Sequence, residues 1–208
     1  ELAVQSFRSP HSLGSFYSTF TEFLGFHPNG DEWKVMALAS LGDPKKYYKK
    51  IKNLIKIDDL TLELDLSYFE HYLNFTPNYF SPKFVKTFGS PIKKLEQLTQ
   101  DHYDLVASVQ KVAEDVTISI LKNLHNKTRS SSLVVSGGFF MNSVLNGKIL
   151  QQTPYENIYI GASPDDSGIS VGSALYGLVY DKGFKNLRKR TLENYYGREF
   201  SNEEVLEE

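Results

Sequence analysis

Cysteine is absent from all 208 residues. That excludes disulfides and thiolate metal sites, and is compatible with a reducing compartment. Charge of one sign is also lacking: 23 Lys and Arg against 25 Asp and Glu leave a formal net charge of −2. There is thus no electrostatic case for nucleic acid, which would call for a basic patch. No apolar run approaches the roughly 18–20 residues needed to cross a bilayer. The opening ELAVQSFRSP lacks the basic and apolar regions of a signal peptide. A cytoplasmic location is the expectation. His11, His27, His71, His102 and His125 include no pair at helical spacing, so no complete histidine metal site is written here. The phosphate signatures G-x-G-x-x-G and G-x-x-x-x-G-K-[ST] are missing, and no Ser-His-Asp set can be inferred.

What is present is ordinary globular composition, 40% hydrophobic and 23% charged, over a length that allows one or two domains. Leu13, Phe16, Tyr17, Phe20, Phe23 and Leu24 recur every three and four residues, which predicts an amphipathic helix over 12–26. His27-Pro28-Asn29-Gly30 reads as a turn, and Asp31 as the cap of a helix ending near Gly42-Asp43-Pro44. Lys45–Lys56 reads as a solvated lysine-rich face, and Leu60–Leu66 alternates like a strand. Residues 68–100 suggest short helices and loops. Leu105, Val109, Val112, Val116, Ile120 and Leu124 mark one face of a long helix from His102 to about Asn126. The tail from about Thr191 is polar and acidic and reads as a linker or the start of another domain. The opening segment looks mid-domain, so the chain is expected to be part of a longer protein.

Residues 133–180 hold two strand-to-helix turns in succession. Leu133–Val135 runs into Ser136-Gly137-Gly138, and Ile158–Ile160 leads through Asp165-Asp166-Ser167-Gly168. The Gly137-Gly138 pair is either a tight junction or a place where backbone N–H groups face a nucleotide. Asn142, one helical turn on, could add an amide to ribose, base or phosphate. Asp165 and Asp166 either cap the next helix or supply hard oxygen ligands to a metal on those phosphates. Glu32 and Lys34 are either a solvated helix edge or, for Glu32, an acceptor for ribose hydroxyls. The turns read together as one wall of a nucleotide-and-metal cleft, in an α/β domain with helices against a sheet.

SLGSFYSTFTEFLGF followed by DEWKVMALASLGDP resembles a block of the nodulation-type and antibiotic-biosynthesis O-carbamoyltransferases. YDLVASVQKVAEDV is similar to their following helix, with Gln110 and Glu114 at matching places. VVSGGFFMNSVLNGKI and IYIGASPDDSGISVGSALYG resemble the two signature turns of that family's first domain, so the likeness runs in order through residues 12–180. It implies an actin-like ATPase (ribonuclease H-like) fold, here mainly the second lobe, over 1–190 with a divergent helical or irregular insertion at 45–100. Residues 191–208 would then lead toward a YrdC-like domain. The implied activity moves a carbamoyl group from carbamoyl phosphate, through a carbamoyl-adenylate made with ATP, to a hydroxyl of a small molecule. Carried over by position, Gly137, Gly138 and Asn142 contact the nucleotide, Glu32 lies near the ribose, and Asp166 ligates a divalent metal, iron or magnesium. The expected partners are carbamoyl phosphate and the acceptor, with a homodimer as the candidate assembly and neither nucleic acid nor membrane. The family's H-x-x-x-H metal pair, its first phosphate hairpin and its YrdC-like domain are not in these residues. Isolated residues 1–208 are therefore expected to be inactive. Ile92 stands where a G-x-P-R motif has arginine, and Ala37 and Ser40 where Gly and Pro are frequent. A non-catalytic scaffold and another actin-like phosphotransferase, such as a sugar kinase, are the alternatives.

Overall fold

The computed structural model describes residues 5–6, 8–73, 76–93, 96–180 and 200–206. Helix α1 (Leu13–Phe23) begins at Ser12, whose hydroxyl accepts the Ser15 N–H at 3.3 Å and so satisfies a donor the helix start leaves open. Its periodic face, Phe16, Tyr17, Phe20 and Phe23, is buried as the spacing predicts. Gly25 follows at φ +78°, pressed so close to the chain at Ile92 that a Cβ would lie 2.9 Å from the Ile92 carbonyl.

Helix α2 (Glu32–Leu38) runs into a 3-10 turn, Ala39–Leu41. Asp31 does not cap it with its side chain, contrary to expectation. Its carboxylate instead accepts the His27 N–H at 3.0 Å and pairs with Lys34 at 2.7 Å. The lysine-rich stretch is not simply a solvated face. Helix α3 (Tyr48–Lys52) buries Ile51, and Leu54 and Ile55 are buried where strand β1 (Ile55–Asp58) begins. That strand pairs antiparallel with β2 (Thr61–Leu64), Ile55 opposite Leu64. Beyond them α4 (Pro82–Phe88) starts with Ser81 accepting the Phe84 N–H and Pro82 in the first turn.

The long helix α5 (Gln100–Thr128) is capped by Thr99 and His102 and ends at Arg129 with a left-handed φ of +56°. Its 29 residues span roughly 43 Å, enough to serve two cores. Its first half packs with α1, α2 and α3 and shares a core with an aromatic cluster of α1 and α4, where Phe20 and Phe88 flank Phe84 at 4.9 and 4.7 Å between ring centres. Its second half gives Ile118 and Leu121 to a smaller core with Leu133, Val135, Leu145, Ile149 and Tyr155.

That smaller core covers a β–α–β unit. Strand β3 (Ser132–Val135), α6 (Ser143–Gln152) and β4 (Asn157–Ile160) follow in order, and the strands pair parallel from Ser132 opposite Asn157 to Val135 opposite Ile160. A parallel pair needs such a crossover helix. The architecture is α/β, helices with two small sheets, as expected. Leu133 and Val135 face the core while Val134 and Tyr159 stand 72% and 50% exposed on the opposite face. Helix α7 (Ile169–Tyr180) buries none of its residues, and a short α8 (Asn202–Leu206) closes the described chain. The linker expected from Thr191 falls outside the described residues, apart from 200–206.

Candidate functional site

The two signature turns hold one another. Ser136 Oγ and the Gly137 N–H both donate to the Pro164 carbonyl, at 3.0 and 2.6 Å. Gly137 reaches that oxygen with φ +107° and ψ 150°, a conformation that favours glycine. Its N–H, a candidate nucleotide donor, is thereby engaged with the neighbouring turn. The N–H groups of Gly138 and Phe139, at the head of a 3-10 turn Gly138–Met141, have no acceptor among the described residues. Gly138 has an ordinary φ and open space where a Cβ would lie, so its bareness serves neither backbone conformation nor internal packing.

Asn142 caps α6: its side-chain oxygen accepts the Leu145 N–H at 3.0 Å. The same carboxamide pairs twice with Gln110 of α5, at 2.9 and 3.1 Å. Gln110 also accepts from the Tyr17 hydroxyl at 2.9 Å and donates to Glu114 at 2.9 Å, and Lys148 of α6 meets that Glu114 oxygen at 2.7 Å. Burial, with the charges of Glu114 and Glu32, pushes the Tyr17 hydroxyl up, so it stays protonated and donates. Three helices are joined beneath the glycine turn by this buried polar network. The resemblance marked Gln110 and Glu114 by position without showing what they hold.

Glu32 sits at the start of α2 and is not a loose surface carboxylate. Its Oε1 accepts from Ser18 Oγ at 2.5 Å and from the Asn29 N–H at 2.7 Å. Asp165 accepts from Ser167 Oγ at 2.6 Å and does not cap with its side chain. Asp166 is exposed, and its carboxylate has no partner among the described residues. Lys34, the other residue of the helix edge, pairs with Asp31. Ile92 is 8% exposed in the aromatic core, away from these groups.

These pieces meet. Gly137, Gly138, Asn142, Glu32 and Asp166 all line one open cavity of about 790 Å³, with Trp33 as its exposed aromatic wall. Among the described residues its lining includes three carboxylates, Glu32, Asp165 and Asp166, and no lysine, arginine or histidine. Such a wall repels a bare polyphosphate and admits one carrying a divalent cation, for which carboxylates are suitable hard ligands. Asp166 is the group free to serve. Among the described residues no cluster of three or more His, Asp or Glu could by itself hold a metal. Nor is any helix among them long and apolar enough to cross a membrane.

One sequence feature adds nothing to the site. Gly168-Ile169-Ser170-Val171-Gly172 has the spacing of a hydrolase nucleophile elbow. Ser170, however, lies inside α7 with its hydroxyl on the Ser167 carbonyl at 3.1 Å, and no histidine bonds it.

Comparison with known proteins gives a family. A family model described as carbamoyltransferase N-terminus matches residues 2–175. The chain is 34% identical over 203 residues to an uncharacterized protein of Synechocystis sp., covering 94% of this chain and 32% of that one. It is 31% identical over 199 residues to an uncharacterized protein of Methanocaldococcus jannaschii, covering 95% and 30%. Against the nodulation protein NolO of Bradyrhizobium diazoefficiens it is 30% identical over 202 residues, covering 97% of this chain and 34% of NolO. The chain thus spans about a third of the length of these relatives.

Proposed function

The chain belongs to the carbamoyltransferase N-terminus family, and from that premise we propose that its cavity is one wall of the nucleotide-and-metal cleft of an ATP-dependent carbamoyltransferase. The observation that carries this reading is the convergence of the two glycine-and-aspartate turns and the start of α2 on one cavity. In the proposed enzyme, with an actin-like ATPase fold of which this chain is mainly the second lobe, carbamoyl phosphate loses inorganic phosphate to water, and an oxygen of the resulting carbamate displaces pyrophosphate from the α-phosphorus of ATP to give carbamoyl-adenylate. An acceptor hydroxyl oxygen then displaces AMP from the carbamoyl carbon and loses its proton.

Each residue has a role suited to its placement. Gly138, bare and with a free N–H, lets a phosphate or ribose come close. Gly137 fixes the turn that presents it. Asn142 offers an amide, and Glu32 has its second oxygen for a ribose hydroxyl. Asp166 contributes one ligand to a divalent metal, iron or magnesium, which offsets phosphate charge when bound. In this reading the remaining ligands and the opposite wall lie outside these residues, which match about a third of the relatives' length. Residues 1–208 alone are therefore expected to turn nothing over.

The test is ATP consumption by the full-length protein. Consumption that requires carbamoyl phosphate, and is lost in Asp166→Ala, supports the reading. Consumption indifferent to carbamoyl phosphate favours an actin-like phosphotransferase such as a sugar kinase. The burial of Ile92, in place of the arginine of the family motif, favours a second reading as a non-catalytic scaffold. A scaffold keeps its cellular role in the Asp166→Ala protein.

A further inference from the structure

A primary carboxamide can offer a ligand its oxygen or its N–H groups, and turning it over exchanges the two. For Asn142 the choice is made from behind the cavity wall. The Leu145 N–H can only donate, so the atom it meets at 3.0 Å is the Asn142 oxygen. That oxygen also accepts from Gln110 Nε2 at 3.1 Å, while Asn142 Nδ2 donates to Gln110 Oε1 at 2.9 Å. Gln110 is fixed from its other side. Its Nε2 donates at 2.9 Å to Glu114, whose carboxylate can only accept, and its Oε1 accepts from the Tyr17 hydroxyl at 2.9 Å.

Two anchors on different helices thus require the same orientation of the pair. Lys148, 2.7 Å from the shared Glu114 oxygen, balances the charge at the far end. Tyr17, Gln110, Glu114 and Asn142 are each 9% exposed or less, so turning either amide would strand buried polar atoms away from water. The Asn142 oxygen is doubly occupied and one of its two N–H bonds is used. The second N–H is the polar hydrogen that remains.

We propose that Gln110 is a positioning residue of this cavity: with Glu114 it locks the Asn142 carboxamide so that the cavity receives one N–H donor and no acceptor. A ligand must then bring an acceptor atom to that point. The proposal rests on the reading of the cavity as a nucleotide site, since phosphate and ribose oxygens and ring nitrogens are acceptors. A ligand group that only donates is turned away there.

The test is calorimetric titration of the full-length protein with ATP and magnesium, as a cycle over Gln110→Met, Asn142→Ala and the double variant, with thermal unfolding of each. If Gln110 acts through Asn142, Gln110→Met weakens binding by roughly tenfold and the double variant binds no more weakly than Asn142→Ala. Wild-type affinity in Gln110→Met overturns the proposal. So do losses that multiply in the double variant, the mark of a residue that only stabilises the fold. Should Gln110→Met fail to fold, Gln110→Asn, which withdraws the amide by one methylene, carries the same cycle. No binding of ATP by the wild-type protein overturns the nucleotide reading and the positioning role together, an outcome distinct from the other two.

Discussion

Adjacent glycines in the first signature turn have opposite physical reasons for lacking a side chain, so alanine at each gives opposite results. Gly137 has φ +107° and ψ 150°, with nothing within 4 Å of an added Cβ. Its need is conformational. Forcing an alanine into that region costs about 1–3 kcal/mol, or a fall of about 2–4 °C in Tm per kcal/mol for a domain of this size. The Gly137 N–H to Pro164 hydrogen bond, which ties the two turns, is at risk in the same variant. Gly138 has an ordinary φ and equally open space, so Gly138→Ala changes stability by less than about 0.5 kcal/mol. The new methyl instead projects where a ligand must approach. Overpacking of about 1–3 kcal/mol there weakens nucleotide binding about 5- to 150-fold. Thermal unfolding and calorimetric titration of the two variants, side by side, make the comparison. Equal thermal losses in both, or undiminished binding in Gly138→Ala, would contradict these separate roles.

Gly42 is required for a third reason: a Cβ there runs into the Tyr103 carbonyl, backbone against backbone, where the Ala39–Leu41 turn meets α5. Gly42→Ala should cost about 3 kcal/mol, read as a lower urea midpoint with the slope unchanged. Lys46 sits between Asp101 and Asp104 at 2.8 Å from each. Its hydrogen bonds, with those of the Asp43 N–H and Gln100, hold Asp104 down at about 2, and Lys46 with Tyr47 lowers Asp101. The folded values lie below the unfolded ones, so the unfolded chain binds more protons and this clamp's contribution is present above about pH 4. It is lost as pH falls toward 2. Lys46→Met should flatten the fall of Tm between those values, and parallel curves for variant and wild type would contradict it.

Much of the fold was legible because local rules and tertiary packing agree there. The three-and-four spacing of Phe16, Phe20 and Phe23 found α1, and the single apolar stripe of α5 gave its span to within two residues at each end. β1 was hidden inside a lysine-rich run, where Ile51, Leu54 and Ile55 turn inward with too few residues to set up a period. Asp31 has the residue type and position of a cap, but Lys34 and the His27 N–H take its carboxylate. Residue type and the family likeness point to Gly137, Gly138, Asn142, Glu32 and Asp166, and the fold brings all five to one cavity. What each can offer was not legible. Pro164 draws the Gly137 N–H from beyond α6 and β4, and Gln110 holds Asn142 from 32 positions away. No local pattern encodes such pairings. Nor does residue type reveal that the wall, among the described residues, carries carboxylates without a basic partner, since the chain as a whole is nearly neutral.

That imbalance makes cation dependence the most direct test of the central claim. ATP would be titrated calorimetrically into the full-length protein, with magnesium or iron(II) present and again after chelation, beside the isolated 208-residue chain. Binding is expected by the full-length protein only with the metal, and no binding by the isolated chain. ATP binding of equal strength after chelation would contradict the claim that Asp166 and its neighbours form the metal-bearing wall of a nucleotide cleft.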